Sequence, residues 1–160
     1  MTGRIEARLT ELGYTLPQVA APVAAYVPAV LDGDRVYVSG QLPMVEGALP
    51  LTGRVGSGGG DGLISPSEAN GLARVCALNA LAAVRSAIGD LDRIRRIVKV
   101  VGFVASEPGF TGQPLVINGA SEFLSEVFGP VGQHARSAIG VVALPLGAPV
   151  EVEMVVAVNP

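Results

Sequence analysis

HARSAIGVVALPLGAPVEVEMVVAV, residues 134–158, carries the clearest strand patterning in the chain. Its first part alternates, with His134, Arg136 and Ala138 on one face of an extended segment. Its last part alternates more strictly: Val150, Val152, Met154, Val156 and Val158 share one face, and Glu151 and Glu153 share the other. Period-two patterning predicts strands over Arg136–Ala143 and Val150–Val158. Leu144-Pro145-Leu146-Gly147-Ala148-Pro149 separates them and cannot continue a strand. A connection this short reverses the chain, so the two strands should run antiparallel. Arg136 lies eight residues before the connection and Glu151 just after it. At about 3.3 Å per residue they would stand roughly 20 Å apart along the strands. On that geometry one subunit does not bring both to one ligand, and cooperation between them would cross a subunit interface.

Working outward, Ile94–Ala105 is rich in Val and Ile and reads as a strand buried on at least one face. Glu107-Pro108-Gly109 breaks it. Gln113–Phe128 reads as a helix with Val116, Phe123, Leu124 and Val127 inward, ended by Gly129-Pro130. Ser65-Pro66-Ser67-Glu68 opens an earlier helix with a capping box. That helix runs to Ile88 and stops at Gly89, with Ala69, Ala73, Ala77, Leu81, Val84 and Ile88 as its apolar stripe. Asn70, Arg74 and Arg85 lie on its polar side. Tyr26–Leu31 and Arg35–Ser39 read as strands of a hairpin around Asp32-Gly33-Asp34. Gly40 to Gly62, with Gly58-Gly59-Gly60, reads as a long mobile loop; no Gly-Lys-Ser/Thr follows, which disfavours a phosphate cradle. Residues 2–12 read as a short amphipathic helix, after which Pro17 and Pro22 keep the chain extended. The order ββ-α-β-α-ββ predicts an α+β fold: one domain over 1–160, with 1–20 as an extension, a mixed sheet and both helices on one face.

Composition narrows the function. The chain has 160 residues, 49% hydrophobic and only 16% charged, a low charge density for a soluble monomer. The sheet face left open by the helices is too apolar for water, and packing the sheets of several subunits together is the simplest cover. The net charge of −3 argues against nucleic acid as a partner. Arg93, Arg95, Arg96 and Lys99 form the one basic cluster and read as a solvated strand edge or a helix-to-strand turn. The single cysteine, Cys76, fits a reducing compartment and reads as a small core residue. The single histidine, His134, excludes a multi-His metal site. No apolar run of transmembrane type and no signal-type N-terminus is read, so a cytoplasmic protein is expected.

Three residues could carry chemistry. An Arg inside an Ala/Val/Ile-rich strand needs a partner if buried. Arg136 could pair with a protein glutamate or offer its planar fork to a ligand carboxylate. Glu151 and Glu153 could be solvated residues of an exposed edge strand. Alternatively, one of them could face a cleft and hold or activate a water.

Ala135-Arg136-Ser137, Val-Ala-Leu-Pro at 142–145 and Val-Glu-Val-Glu at 150–153 together resemble the signature of the reactive-intermediate imine deaminases, the YjgF-like or endoribonuclease L-PSP family. Ser39-Gly40-Gln41-Leu42-Pro43 matches that family's turn, and Ala25-Tyr26-Val27 its Tyr segment. Asn79 matches an Asn of the first long helix, Asn118 an Asn opening the second, and Ile97-Val98-Lys99 with Phe103-Val104 the middle strand. The likeness covers residues 22–158. It implies a homotrimer of chorismate-mutase-like fold with clefts between subunits. It also implies hydrolysis of short-lived enamine or imine acids such as 2-aminoacrylate to a 2-oxo acid and ammonia, with no metal or organic cofactor. By this likeness Arg136 holds the substrate carboxylate and Glu151 positions the water. Tyr26, Ser39, Gly40, Asn118 and Ala138 contact or line the cleft. Two other classes stay open: a non-catalytic sensor of small carboxylates, and a ribonuclease, which the acidic chain disfavours. Departures are visible as well. Ala138 stands where many members have Cys, His134 stands where Pro is common, and the Gly-rich 53–62 stretch and N-terminal helix are additions to the shortest members.

Overall fold

The computed structural model describes residues 3–19, 25–58 and 60–160. The elements are α1 (Arg4–Glu11), β1 (Ala29–Asp32), β2 (Arg35–Gln41), α2 (Pro66–Ile88), β3 (Ile94–Ala105), α3 (Gln113–Phe128), β4 (Ala135–Val141) and β5 (Val150–Val158). The five strands form one sheet in the order β1-β2-β5-β3-β4. All pairs are antiparallel except β3 with β4, which is parallel.

Local chemistry explains the boundaries. Ser65 and Glu68 form the reciprocal capping box at the start of α2, and Gly89 ends it at φ 82°. Such a cap stabilises a helix by about 1 kcal/mol. Gly33 takes the positive φ of 59° that the β1–β2 turn requires. The hairpin begins later than its sequence suggests: Tyr26 and Val27 are not paired, and the first strand starts at Ala29. Pro28 interrupts the run with no N–H to give, and its carbonyl takes the Ser39 amide at 2.9 Å. Pro22 and Gly59, and with them part of the expected extended lead-in and of the triple glycine, lie outside the described residues.

The alternation of β5 is obeyed. Val150, Val152, Met154, Val156 and Val158 are buried in the core with Val36, Val38, Ile97, Val100 and Val104. α2 and α3 cover this face. Ala73, Ala77, Ala80 and Leu81 of α2, and Ile117, Phe123 and Leu124 of α3, have no exposed surface. Gly119 lets the two helices approach: a Cβ there would sit 1.9 Å from the Asn70 carbonyl oxygen. Cys76 is wholly buried, its thiol faces the Val150 carbonyl at 3.7 Å, and burial pushes its pKa well up. α2 is long and apolar enough to cross a membrane, but 61% of its apolar window is buried in the protein. It is a core helix.

Three expectations change. β5 is not an edge strand; it lies between β2 and β3, which removes the reading of Glu151 and Glu153 as edge residues. β4 and β5 run in opposite directions but are not neighbours, because β3 stands between them. The glycine-rich loop is not wholly free. Val55 is buried and docks beside the end of β3, with its N–H on the Ala105 carbonyl at 2.7 Å and its carbonyl taking the Glu107 N–H at 2.9 Å. The basic cluster lies at the turn from α2 into β3, one of the two places read for it, and its side chains are also bonded. Arg93 donates to the Ile88 and Asn159 carbonyls, Arg96 to those of Pro130 and Gln133, and Arg95 pairs with Asp34.

α1 is fastened to this body. Asp92 accepts the Arg4 and Ile5 amides at 2.8 Å each, satisfying two free donors of the helix start. Ile5 and Leu9 are buried.

Candidate functional site

Arg136 stands on β4 level with Val100 of β3, on the face the helices cover. It is half-buried, in the groove between β4 and α3. Nη1 donates to Asn118 Oδ1 at 2.8 Å and to Ser121 Oγ at 3.2 Å, and Nη2 reaches the Pro114 carbonyl at 3.4 Å. Among the described residues no carboxylate lies within ion-pair distance of it. The spacing of Asn118 and Ser121, three residues apart on α3, puts both side chains over one strand position. Asn118 is in the second turn of α3, not at its opening, because the helix starts at Gln113. Ala138, next along the same face, packs against the core.

Glu151 belongs to a different place. It projects from β5 onto the sheet face that no helix among the described residues covers, and it is half-buried. Burial raises its pKa above the ordinary carboxyl value, and the charge of Glu153 on the same face adds to this. Its carboxyl lies against Gly40: a Cβ at that position would be 1.8 Å from Glu151 Oε1. Glycine leaves the carboxyl room in this position, and a larger residue would displace it. Gly40 sits where the β2–β5 register slips between Val38 and Gln41. Its position is fixed from both sides. Ser39 donates its hydroxyl to the Val27 carbonyl at 2.7 Å. Beyond Gln41, Asn79 on α2 donates to the Leu42 and Met44 carbonyls at 2.9 and 3.1 Å. Ser39 thus ties the Tyr26 segment to β2, while Tyr26 itself is 47% exposed.

The residues singled out in the sequence therefore form two groups in one chain. Arg136, Asn118 and Ala138 occupy the helix-side groove at one edge; Glu151, Gly40, Ser39 and Tyr26 lie towards the other edge. Glu151 is level with Phe103, and Phe103 with Ile139, three residues beyond Arg136. The in-plane offset is about 10 Å along the strands and about 10 Å across them. It is shorter than the separation expected along the strands, because residues 142–149 carry the chain back past the end of β3. The two side chains nevertheless point to opposite faces, and a single chain keeps them apart.

His134 and Ser121 were not among the expected site residues. His134 Nε2 lies 2.9 Å from Ser121 Oγ and Nδ1 lies 2.6 Å from the Gly132 carbonyl. The alternation of His134 with Arg136 was the available signal. Ser121 had none until α3 was placed over β4.

The open face carries Val30 and Tyr37, each 50% exposed, with Lys99, Val101, Glu153 and Val155 around a shallow depression of about 320 Å³. Lys99 donates to Ser137 Oγ at 3.0 Å there. The β4 side is also apolar: Leu115, Ile139, Val142 and Leu146 are exposed.

Known proteins share this arrangement of elements. The chain is 45% identical over 159 residues to Protein TCP17 of Trypanosoma cruzi, covering 99% of this chain and 96% of that protein. It is 47% identical to the Agrobacterium tumefaciens protein Atu1372, with a TM-score of 0.87 over 97% of this chain and 93% of that one. A Shewanella oneidensis protein, crystallised as a "putative endoribonuclease", aligns at a TM-score of 0.89 and 31% identity, over 96% of this chain and 99% of that one. The family model described as "YjgF/chorismate mutase-like, putative endoribonuclease" matches residues 6–157. With its five-stranded mixed sheet, paired covering helices and this match along nearly its whole length, the chain belongs to the YjgF/chorismate mutase-like family.

Proposed function

We propose that this protein hydrolyses reactive enamine and imine acids of the 2-aminoacrylate type to a 2-oxo acid and ammonia, in clefts between the subunits of a homotrimer in the cytoplasm. The observation that carries this reading is the state of Arg136. Its guanidinium is half-buried and held by three neutral acceptors, with no carboxylate partner among the described residues. A cation so placed favours an anionic ligand, and a carboxylate matches its planar fork.

The chemistry asks little of the protein. The enamine acid tautomerises to an imine, whose C=N carbon takes up water. The resulting carbinolamine expels ammonia and leaves the 2-oxo acid. Arg136 holds the carboxylate. A Glu151 carboxylate accepts the proton of the attacking water and returns it to the leaving nitrogen. Burial and the Glu153 charge raise its pKa above the ordinary carboxyl value, which strengthens it as a proton acceptor. Because Arg136 and Glu151 face opposite sides of one sheet, the Glu151 that serves a given Arg136 comes from a neighbouring copy. The apolar open face and the apolar β4 side supply surface for that association.

The test generates 2-aminoacrylate in situ and follows 2-oxo acid release. Wild type should accelerate release, and Arg136→Ala should lose about a hundredfold in kcat/KM. Carboxylate binding with no acceleration would replace the enzyme by a sensor. RNA cleavage abolished by Arg136→Ala would replace it by a ribonuclease.

A further inference from the structure

His134 is the only histidine in the chain, and both its ring nitrogens are engaged. Nδ1 lies 2.6 Å from the Gly132 carbonyl. A carbonyl oxygen only accepts, so Nδ1 carries the proton. Burial holds the ring's pKa below its ordinary value and the charge of Arg136 lowers it further, against an opposing contribution from the Gly132 bond. The ring is therefore neutral at pH 7, and Nε2 offers a lone pair. Ser121, 2.9 Å away, donates its one hydroxyl proton to that lone pair. This turns the oxygen's own lone pairs towards Arg136 Nη1, 3.2 Å away.

The consequence falls on the guanidinium. Asn118 takes one Nη1 hydrogen and Ser121 the other. The Pro114 carbonyl faces one hydrogen of Nη2. Nε–H has no partner among the described residues, and Nη2 has only the long 3.4 Å contact with Pro114, so the Nε–Nη2 edge is the one the protein engages least. That edge holds two parallel donors at the spacing of a carboxylate's oxygens. Without a partner at Nε2, the Ser121 hydroxyl can rotate and direct its proton elsewhere, and the plane of the guanidinium loses one of its two Nη1 restraints.

We propose that His134, acting through Ser121, is a positioning residue that fixes the Arg136 guanidinium with its Nε–Nη2 edge turned to the carboxylate of a 2-oxo or 2-imino acid. The inference rests on the carboxylate cleft proposed above and adds to it a named support and a named edge. A proline at this position offers no acceptor to Ser121, so a chain with His134 holds its anchor in a way that a chain with proline does not.

The experiment uses the full-length protein and pyruvate as the probe. Imidazole ¹⁵N spectroscopy should show the neutral Nδ1–H tautomer in the free protein. Pyruvate should move the single histidine Hε1 resonance, and Arg136→Ala should abolish that movement. His134→Ala should raise the Kd for pyruvate and the KM for 2-aminoacrylate about fivefold to tenfold, with kcat within about twofold. His134→Gln, whose amide oxygen can accept from Ser121, should recover most of that loss, which a space-filling role for the ring would not predict. An Nε2–H tautomer in the free protein overturns the proposal, and that reading needs no variant to fold. So does His134→Ala binding pyruvate as tightly as wild type. If Arg136→Ala also binds pyruvate normally, the cleft itself is wrong; if only His134→Ala is silent, the cleft stands and the relay fails.

Discussion

Arg136 and Glu151 stand on one sheet, two strands apart, and the protein treats them in opposite ways. Arg136 lies on the helix-covered face and is surrounded by acceptors that fix its orientation without neutralising it. Glu151 lies on the other face, half-buried and within reach of the charge of Glu153, so its ionisation is disfavoured. One group is set in geometry and the other in proton affinity. The contrast shows that a binding anchor needs rigid neighbours, whereas a proton-transfer group needs a tuned environment, and that the two faces of a sheet can supply these separately.

The contrast breaks most severely through the helices. Gly119→Ala would drive a methyl group into the Asn70 carbonyl and push α3 away from α2. Overpacking of this kind should cost about 3 kcal/mol, a fall in Tm of about 6–12 °C. It should also weaken pyruvate binding by displacing Asn118 and Ser121, while Glu151 keeps its surroundings. Calorimetry together with pyruvate titration checks both parts.

Gly40→Ala tests the other face. The new methyl group must displace the Glu151 carboxyl, which projects on the sheet face opposite the Arg136 groove. kcat should fall about tenfold with the Kd for pyruvate unchanged. Tm should move by no more than about 2 °C. If the two glycine variants affect binding and turnover alike, the division of labour between the faces is wrong.

The smallest effect sharpens the comparison. Glu153→Gln removes the negative charge that helps to raise the Glu151 pKa. The acid limb of the pH–rate profile should move to lower pH, because Glu151 then ionises more readily. The same coupling acts on stability. A carboxyl whose folded pKa is raised contributes stability below the ordinary carboxyl pKa and loses it as pH rises through the raised one. Thermal scans across pH should therefore show a shallower decline in Glu153→Gln than in wild type.

Much of the fold could be read in the sequence because period and punctuation agree. The capping box at Ser65, the stops at Gly89 and Gly129 and the alternation of β5 each act within a few residues, and each appears where expected. Strand order did not, because it depends on which strands meet across long loops. The crossover that inserts β3 between β4 and β5 leaves no local mark. The candidate site divides in the same way. Arg136 and Glu151 were visible as polar residues in apolar strands. Ser121 was invisible, because a serine on the flank of a helix acquires meaning only when α3 is laid across β4. Gly40 was placed by resemblance, and its physical reason, the carboxyl pressed against it, required coordinates.

The burial of Cys76 has a practical corollary. Its thiol is enclosed by the core and resists ionisation, so it stays silent towards alkylating reagents in the folded protein. A cysteine introduced at exposed Ala135, on the free edge of β4, would then be the sole reactive thiol. A fluorophore attached there would report, by its quenching or energy transfer between copies, when and how these chains come together.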